Sequence, residues 1–226
     1  METVAVPVPS RWRLVAWLGF TLALAALAYG GRIASTKTPS DIAYQWSSSV
    51  IALVQYVFML AILLGIAAGL DRREAFALRR PASWPRAIGL AAVCLAAIWA
   101  VGAVLSRFLD ATDEQGLVPK GWDSGRWAPF VAFCGVVTVV APIVEELTYR
   151  GLGFTLVSSY GVWTAILTTG VLFGAAHGLV EGLPVLAFFG ITVGWLRSRT
   201  DSVYPGMLLH GTFNGVALLL SVTVVH

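Results

Sequence analysis

Residues 42–70 read IAYQWSSSVIALVQYVFMLAILLGIAAGL, a stretch without Asp, Glu, Lys or Arg. A helix needs about 20 apolar residues to cross the hydrocarbon core of a bilayer, and this run exceeds that. Similar charge-free runs lie at Leu14 to Gly31, Ala87 to Ser106, Ala128 to Val144 and Ser202 to Val225, with a shorter one from Gly182 to Leu196. Between Arg150 and Glu181 there is again no acid, lysine or arginine, which leaves room for the end of one helix and a second starting near Gly161. The count is seven transmembrane helices, or eight if 151–181 is divided differently. Hydrocarbon offers the backbone no hydrogen-bond partner, so the expected fold is an all-α polytopic membrane helix bundle.

The rest of the composition excludes other classes. Of 226 residues, 58% are hydrophobic and 12% charged, about half the charged share of a soluble domain. A core of this size cannot hide so much apolar surface from water. The net charge of +3 comes mainly from arginine, but the arginines sit in short gaps between apolar runs. No basic stripe is formed, and no nucleic-acid partner is expected. Cys94 and Cys134 each lie within an apolar run and read as small buried hydrophobes.

Orientation follows from arginine asymmetry. Asp71 to Arg86 holds Arg72, Arg73, Arg79, Arg80 and Arg86 and reads as cytoplasmic; Asp110 to Arg126 holds Asp110, Asp113, Glu114 and Asp123 against Lys120 and Arg126 and reads as external. The N-terminus is then cytoplasmic, with Arg197 and Arg199 on the same side and the C-terminus outside. Ala26-Leu27-Ala28 after Arg11 and Arg13 resembles a signal cleavage site. The same composition suits an uncleaved signal anchor, which the span count favours.

A charge at membrane depth is costly unless paired or hydrated, so each is a candidate for function. Glu145, Glu146, Arg150, His177 and His210 fall inside apolar runs, with Asn214 beside them. Glu146 and Arg150 are four apart on one helix face, acid first, and can neutralise each other. Glu145 is turned about 100° away and lacks that partner. His210 and Asn214 share a face and offer donors suited to a developing oxyanion. Taken singly, each has a plain structural reading as an interhelical clasp or packing hydrogen bond. Their conjunction late in the chain favours a site. Gly170, Gly174 and Gly178, Gly190 and Gly194, and Gly211 and Gly215 form small-residue stripes that permit close helix approach.

The stretch Ala141-Pro142-Ile143-Val144-Glu145-Glu146-Leu147-Thr148-Tyr149-Arg150-Gly151 resembles the EExxxR motif of the CAAX protease and bacteriocin-processing (CPBP, or Abi) family. Phe173 to His177 is similar to its FxxxH motif and His210 to Asn214 to its HxxxN motif, with Phe189, Gly190, Gly194, Arg199 and Thr200 fitting the connection. Tyr149 stands where many members have Phe. The resemblance covers roughly 125–220, so the chain reads as one integrated membrane domain, with three helices and their loops in 1–124 and catalytic-type core helices in 125–226. It implies an intramembrane glutamic endopeptidase acting on a membrane-associated protein or peptide in the lipid bilayer. Glu145 would activate water, assisted by His177; His210 and Asn214 would hold the oxyanion; Glu146 and Arg150 would brace the site. No cofactor is expected. Members are associated with prenylated CAAX proteins, bacteriocin leaders and C-terminal sorting tails. The Ala/Arg/Gly-rich composition suggests a GC-rich bacterium and its inner membrane, which weighs against a prenylated substrate.

The alternatives are a zinc metalloprotease with Glu145, His177 and His210 as ligands, for which no HExxH exists, a non-catalytic scaffold or immunity protein, and a transporter. One topological condition attaches to the glutamic reading. A fourth helix ending at Arg150 would separate Glu145 from His177 in depth, so that helix is expected to run from about Trp127 to Val157. The Glu145 carboxylate should then lie within about 10 Å of an imidazole.

Overall fold

The computed structural model describes residues 11–34, 41–109, 114, 119 and 121–223. Asp110, Asp113 and Lys120, used above to orient the chain, lie outside them. The described residues form helices without strands: α1 (Arg11–Ala34), α2 (Trp46–Ile66), a short α3 (Arg72–Ala75), α4 (Trp84–Leu105), α5 (Ser124–Tyr160), α6 (Val162–Ala175), α7 (Leu183–Thr200) and α8 (Tyr204–Thr223). Apart from α3 these are the seven rods expected. Five of them, α1, α2, α4, α5 and α8, are long and apolar enough to cross a membrane. Helix α6 is shorter, and α7 carries Arg197 and Arg199 in its last turn.

The fourth long rod does run past Arg150, as one 37-residue helix. Ion pairs and arginine contacts gather at both ends of the rods. At one end Arg13 donates to the carbonyls of Ile66 and Ala68, and Arg79 pairs with Glu74 and Asp201. At the other, Arg32 pairs with Glu114, and Arg126 with Asp41 and Asp123. Charges are thus kept where water or headgroups can solvate them.

Helix α1 is part of the packed bundle. Trp17 is fully buried and its indole N–H donates to the carbonyl of Thr148 at 3.0 Å. Tyr29 donates to the carbonyl of Leu179 at 3.0 Å. Cleavage after Ala28 would remove the Trp17 anchor and leave the Thr148 carbonyl short of a donor.

The glycine stripes differ in what they do. Helices α6 and α7 cross at Gly170 and Gly190, where a Cβ on Gly170 would stand 2.5 Å from the Ile191 nitrogen. Gly174 repeats this against Ala187 at 2.8 Å. Such contacts replace a hydrophobic driving force with close backbone packing. Gly194 and Gly215 meet only ordinary contacts, at 3.4 and 3.6 Å. Gly178 combines a φ of +66° with close approach to Ala28. Cys94 is buried, Cys134 half-buried, and both are free thiols.

Candidate active site

The site begins with a defect in α5. Pro142 has no N–H, and the preceding turns, 136–140, are π-helical, with the Ala141 N–H bonded to Val136 O. The Val137 carbonyl therefore loses its helical donor. A bare carbonyl in a membrane interior costs several kcal/mol. Asn214 of α8 supplies the missing donor, its Nδ2 reaching Val137 O at 2.9 Å. Gly211, one turn earlier, makes this approach possible, since a Cβ there would lie 2.6 Å from Thr138 O.

A second π segment spans Leu147–Gly153, and at its exit the Phe154 N–H bonds Tyr149 O. The Arg150 carbonyl, within this segment, accepts from Arg197 Nε at 3.1 Å. Side chains from α8 and α7 thus complete the backbone of α5, and π-bulges of this kind recur at functional sites. The bulges also set which way the helix's acidic residues face.

Glu146 and Arg150 are both fully buried and form the pair expected from their spacing, at 3.0 Å. The pair is part of a larger cluster. Glu146 Oε1 also accepts from His210 Nδ1 at 3.0 Å, and Arg150 Nη2 donates to Gly190 O at 2.9 Å. The guanidinium lies 4.6 Å from the centre of the Phe173 ring. The sequence spacing gave His210 no link to Glu146; the fold creates it.

Glu145 faces the other way, into a cavity of about 720 Å³. Its side chain keeps 13% exposure. Oε1 accepts from the Tyr56 hydroxyl of α2 at 2.7 Å, and Oε2 lies 3.7 Å from His210 Nε2. The depth condition on Glu145 is therefore met at His210. Because a carboxylate only accepts, His210 Nδ1 carries a hydrogen for Glu146, and Nε2 is the atom turned towards Glu145. His177 is fixed likewise: Nδ1 donates to Phe173 O at 2.8 Å, leaving Nε2 without a hydrogen bond among the described residues. The two imidazoles flank Phe173, with ring centroids 4.8 and 5.6 Å away.

Glu145, His177, His210 and Asn214 all line this one cavity, while Glu146 and Arg150 stand behind its wall. Among the described residues no three His, Cys, Asp or Glu side chains are grouped so as to hold a metal ion. Sequence reading missed Tyr56, whose phenol inside the 42–70 run was a polar group needing a partner. It also read Arg197 as a loop charge, although the residue is buried with only 6% exposure. Pro142 was the available signal for the Asn214 contact.

Most of the cavity wall is apolar. It includes Phe20, Leu24 and Leu27 of α1 and Phe58 and Met59 of α2, from the part of the chain outside the motif resemblance. The arrangement can hold a water between a carboxylate and an imidazole beside an extended apolar surface, shielded by helices on most sides.

Comparison with known families agrees with the motifs. Residues 127–216 match the family described as type II CAAX prenyl endopeptidase Rce1-like. No curated protein and no solved structure shows a significant match to the chain. The matched segment contains α5 from Trp127 onward, all of α6 and α7, and α8 through Asn214, and so Glu145, Glu146, Arg150, His177, Arg197, His210 and Asn214; the Tyr56 phenol of α2 lies outside it. Over residues 127–216 the chain is thus similar to the type II CAAX prenyl endopeptidase Rce1-like family, in keeping with its EExxxR, FxxxH and HxxxN residues.

Proposed function

We propose that the chain is a glutamic endopeptidase that hydrolyses a peptide bond of a membrane-associated protein or peptide. The observation that carries this reading is the 3.7 Å separation of Glu145 Oε2 and His210 Nε2 at a shared cavity. That gap is too long for a hydrogen bond, yet one water can lie about 2.8 Å from both atoms. Glu145 takes a proton from that water as its oxygen adds to the scissile carbonyl. The carbonyl becomes an oxyanion, the C–N bond then breaks, and the leaving amine takes up the proton that Glu145 had accepted, which returns Glu145 to its carboxylate.

The oxyanion is held by His210 and Asn214. His210 must be an imidazolium to donate from Nε2, because Nδ1–H is committed to Glu146; the Glu146 carboxylate balances that charge. Asn214 has a second amide N–H once the first is bonded to Val137. His177 Nε2, unprotonated while Nδ1 donates to Phe173 O, assists Glu145 by accepting a hydrogen bond from the attacking water. Tyr56 orients the Glu145 carboxylate through Oε1. No metal enters these steps, and the arginine-rich end of the bundle is assigned to the cytoplasm of a bacterial inner membrane.

The test compares membrane proteomes of cells carrying the wild-type chain or Glu145→Gln and maps newly formed termini. Termini that appear only with the wild-type chain support the reading. An identical set from both, with equal protein levels, overturns it in favour of a scaffold. Cleavage that stops on chelation and returns with zinc would transfer the chemistry to a metal ion.

A further inference from the structure

Helices α5 and α8 bound a second cavity of about 820 Å³ on their other face, away from Glu145. Val139 and Ile143 of α5 and Leu208 of α8 form its sides, and their exposures of 54%, 40% and 56% make it an open apolar groove. At its arginine-rich end stand Arg73, Arg80 and Trp84. Neighbouring Arg79 is paired with Glu74 and Asp201. Arg73 and Arg80 are exposed, and among the described residues neither enters an ion pair. Among the described residues no acidic side chain lines the groove.

We propose that this groove binds one anionic phospholipid. Its phosphate sits between Arg73 and Arg80, and its acyl chains lie along Val139, Ile143 and Leu208. The depth fits. From Tyr204 at the mouth to Thr212 at the inner end α8 advances about 12 Å, close to the roughly 15 Å of hydrocarbon in one leaflet. Trp84 marks the interface, where indoles favour the headgroup level. Two unpaired guanidiniums match phosphate oxygens by charge and geometry. With no acid in the groove lining among the described residues, they disfavour a headgroup that carries its own cation.

The test uses the purified full chain, delipidated in detergent, titrated with phosphatidylglycerol or phosphatidylcholine and read by native mass spectrometry. Wild type is expected to retain one phosphatidylglycerol in preference to phosphatidylcholine. Each surface cation contributes about fivefold to anionic-lipid affinity, so R73Q/R80Q should weaken binding by about twenty- to thirtyfold. R72Q/R86Q removes equal charge outside the groove and should leave the bound lipid in place. Val139→Trp fills the groove and should expel the lipid with both arginines intact. Unchanged thermal unfolding of the surface variants separates lost binding from lost folding. Equal retention of the two lipids, equal loss in R72Q/R86Q, full binding in Val139→Trp, or complete displacement by inorganic phosphate would each overturn the proposal.

Discussion

His210 donates from Nδ1 to Glu146 Oε1 at 3.0 Å, the same oxygen that receives Arg150 Nη1 at 3.0 Å. One buried carboxylate therefore holds two cationic or polar groups from two helices, while its sequence neighbour Glu145 is left to the cavity. Adjacent glutamates acquire different work because successive residues on a helix point about 100° apart. Glu146 ties α8 to α5 and sets the tautomer of His210; Glu145 lies towards the other nitrogen of the same imidazole.

Two substitutions should separate these tasks. Glu145→Gln preserves size and is expected to lower cleavage by about a hundred- to ten-thousandfold, the range for removing a general base, with little change in thermal unfolding. Glu146→Gln leaves Arg150 buried without a countercharge. It should destabilise the protein by about 3–5 kcal/mol, measured as unfolding in detergent. Similar melting of the two variants would contradict the division.

The Asn214 contact allows a rescue experiment. Asn214→Ala strips the Val137 carbonyl of its donor and should cost about 1–3 kcal/mol. Pro142→Ala in that background restores a backbone N–H to α5 and should recover part of the stability. Cleavage should stay low, since the second amide N–H is still missing. Recovery of both together would reduce Asn214 to a structural role.

Close packing of α6 on α7 gives a contrast between two glycines. A Cβ at Gly190 would collide with the backbone of Gly170, where no flexible side chain can yield. Gly190→Ala should therefore cost at least about 1–3 kcal/mol, and should shift the Gly190 carbonyl that Arg150 uses. Gly194→Ala meets Ile166 at 3.4 Å and should be nearly neutral. Unfolding midpoints and monodispersity of the two variants check this.

Asp201 provides a pH-dependent staple at the arginine-rich end. Burial raises its carboxyl pKa, but hydrogen bonds from Arg79 and Arg197 outweigh that and hold it below the ordinary value. A depressed carboxylate adds stability above its unfolded pKa and loses it as pH falls through the folded one. The loss should thus appear below about pH 4. Asp201→Asn keeps the left-handed backbone, φ 49°, at a residue type that tolerates it. It should lower stability at neutral pH and flatten this acid limb; an unchanged acid limb would contradict the assignment.

Much of this was legible in the chain. Charge-free runs such as 42–70 fix a helical membrane protein, because hydrocarbon rejects both charge and unpaired backbone. The spacing of Glu145, Glu146 and Arg150 separated a paired acid from an unpaired one, because helical angles are local. The tertiary structure alone joined His210 to Glu146, Tyr56 to Glu145, Asn214 to Val137 and Arg197 to Arg150. These contacts depend on where α2, α7 and α8 meet two π-helical segments of α5. Neither that register nor the identity of the freed carbonyls follows from a period of apolar residues; they are set by which donors the neighbouring helices bring into reach.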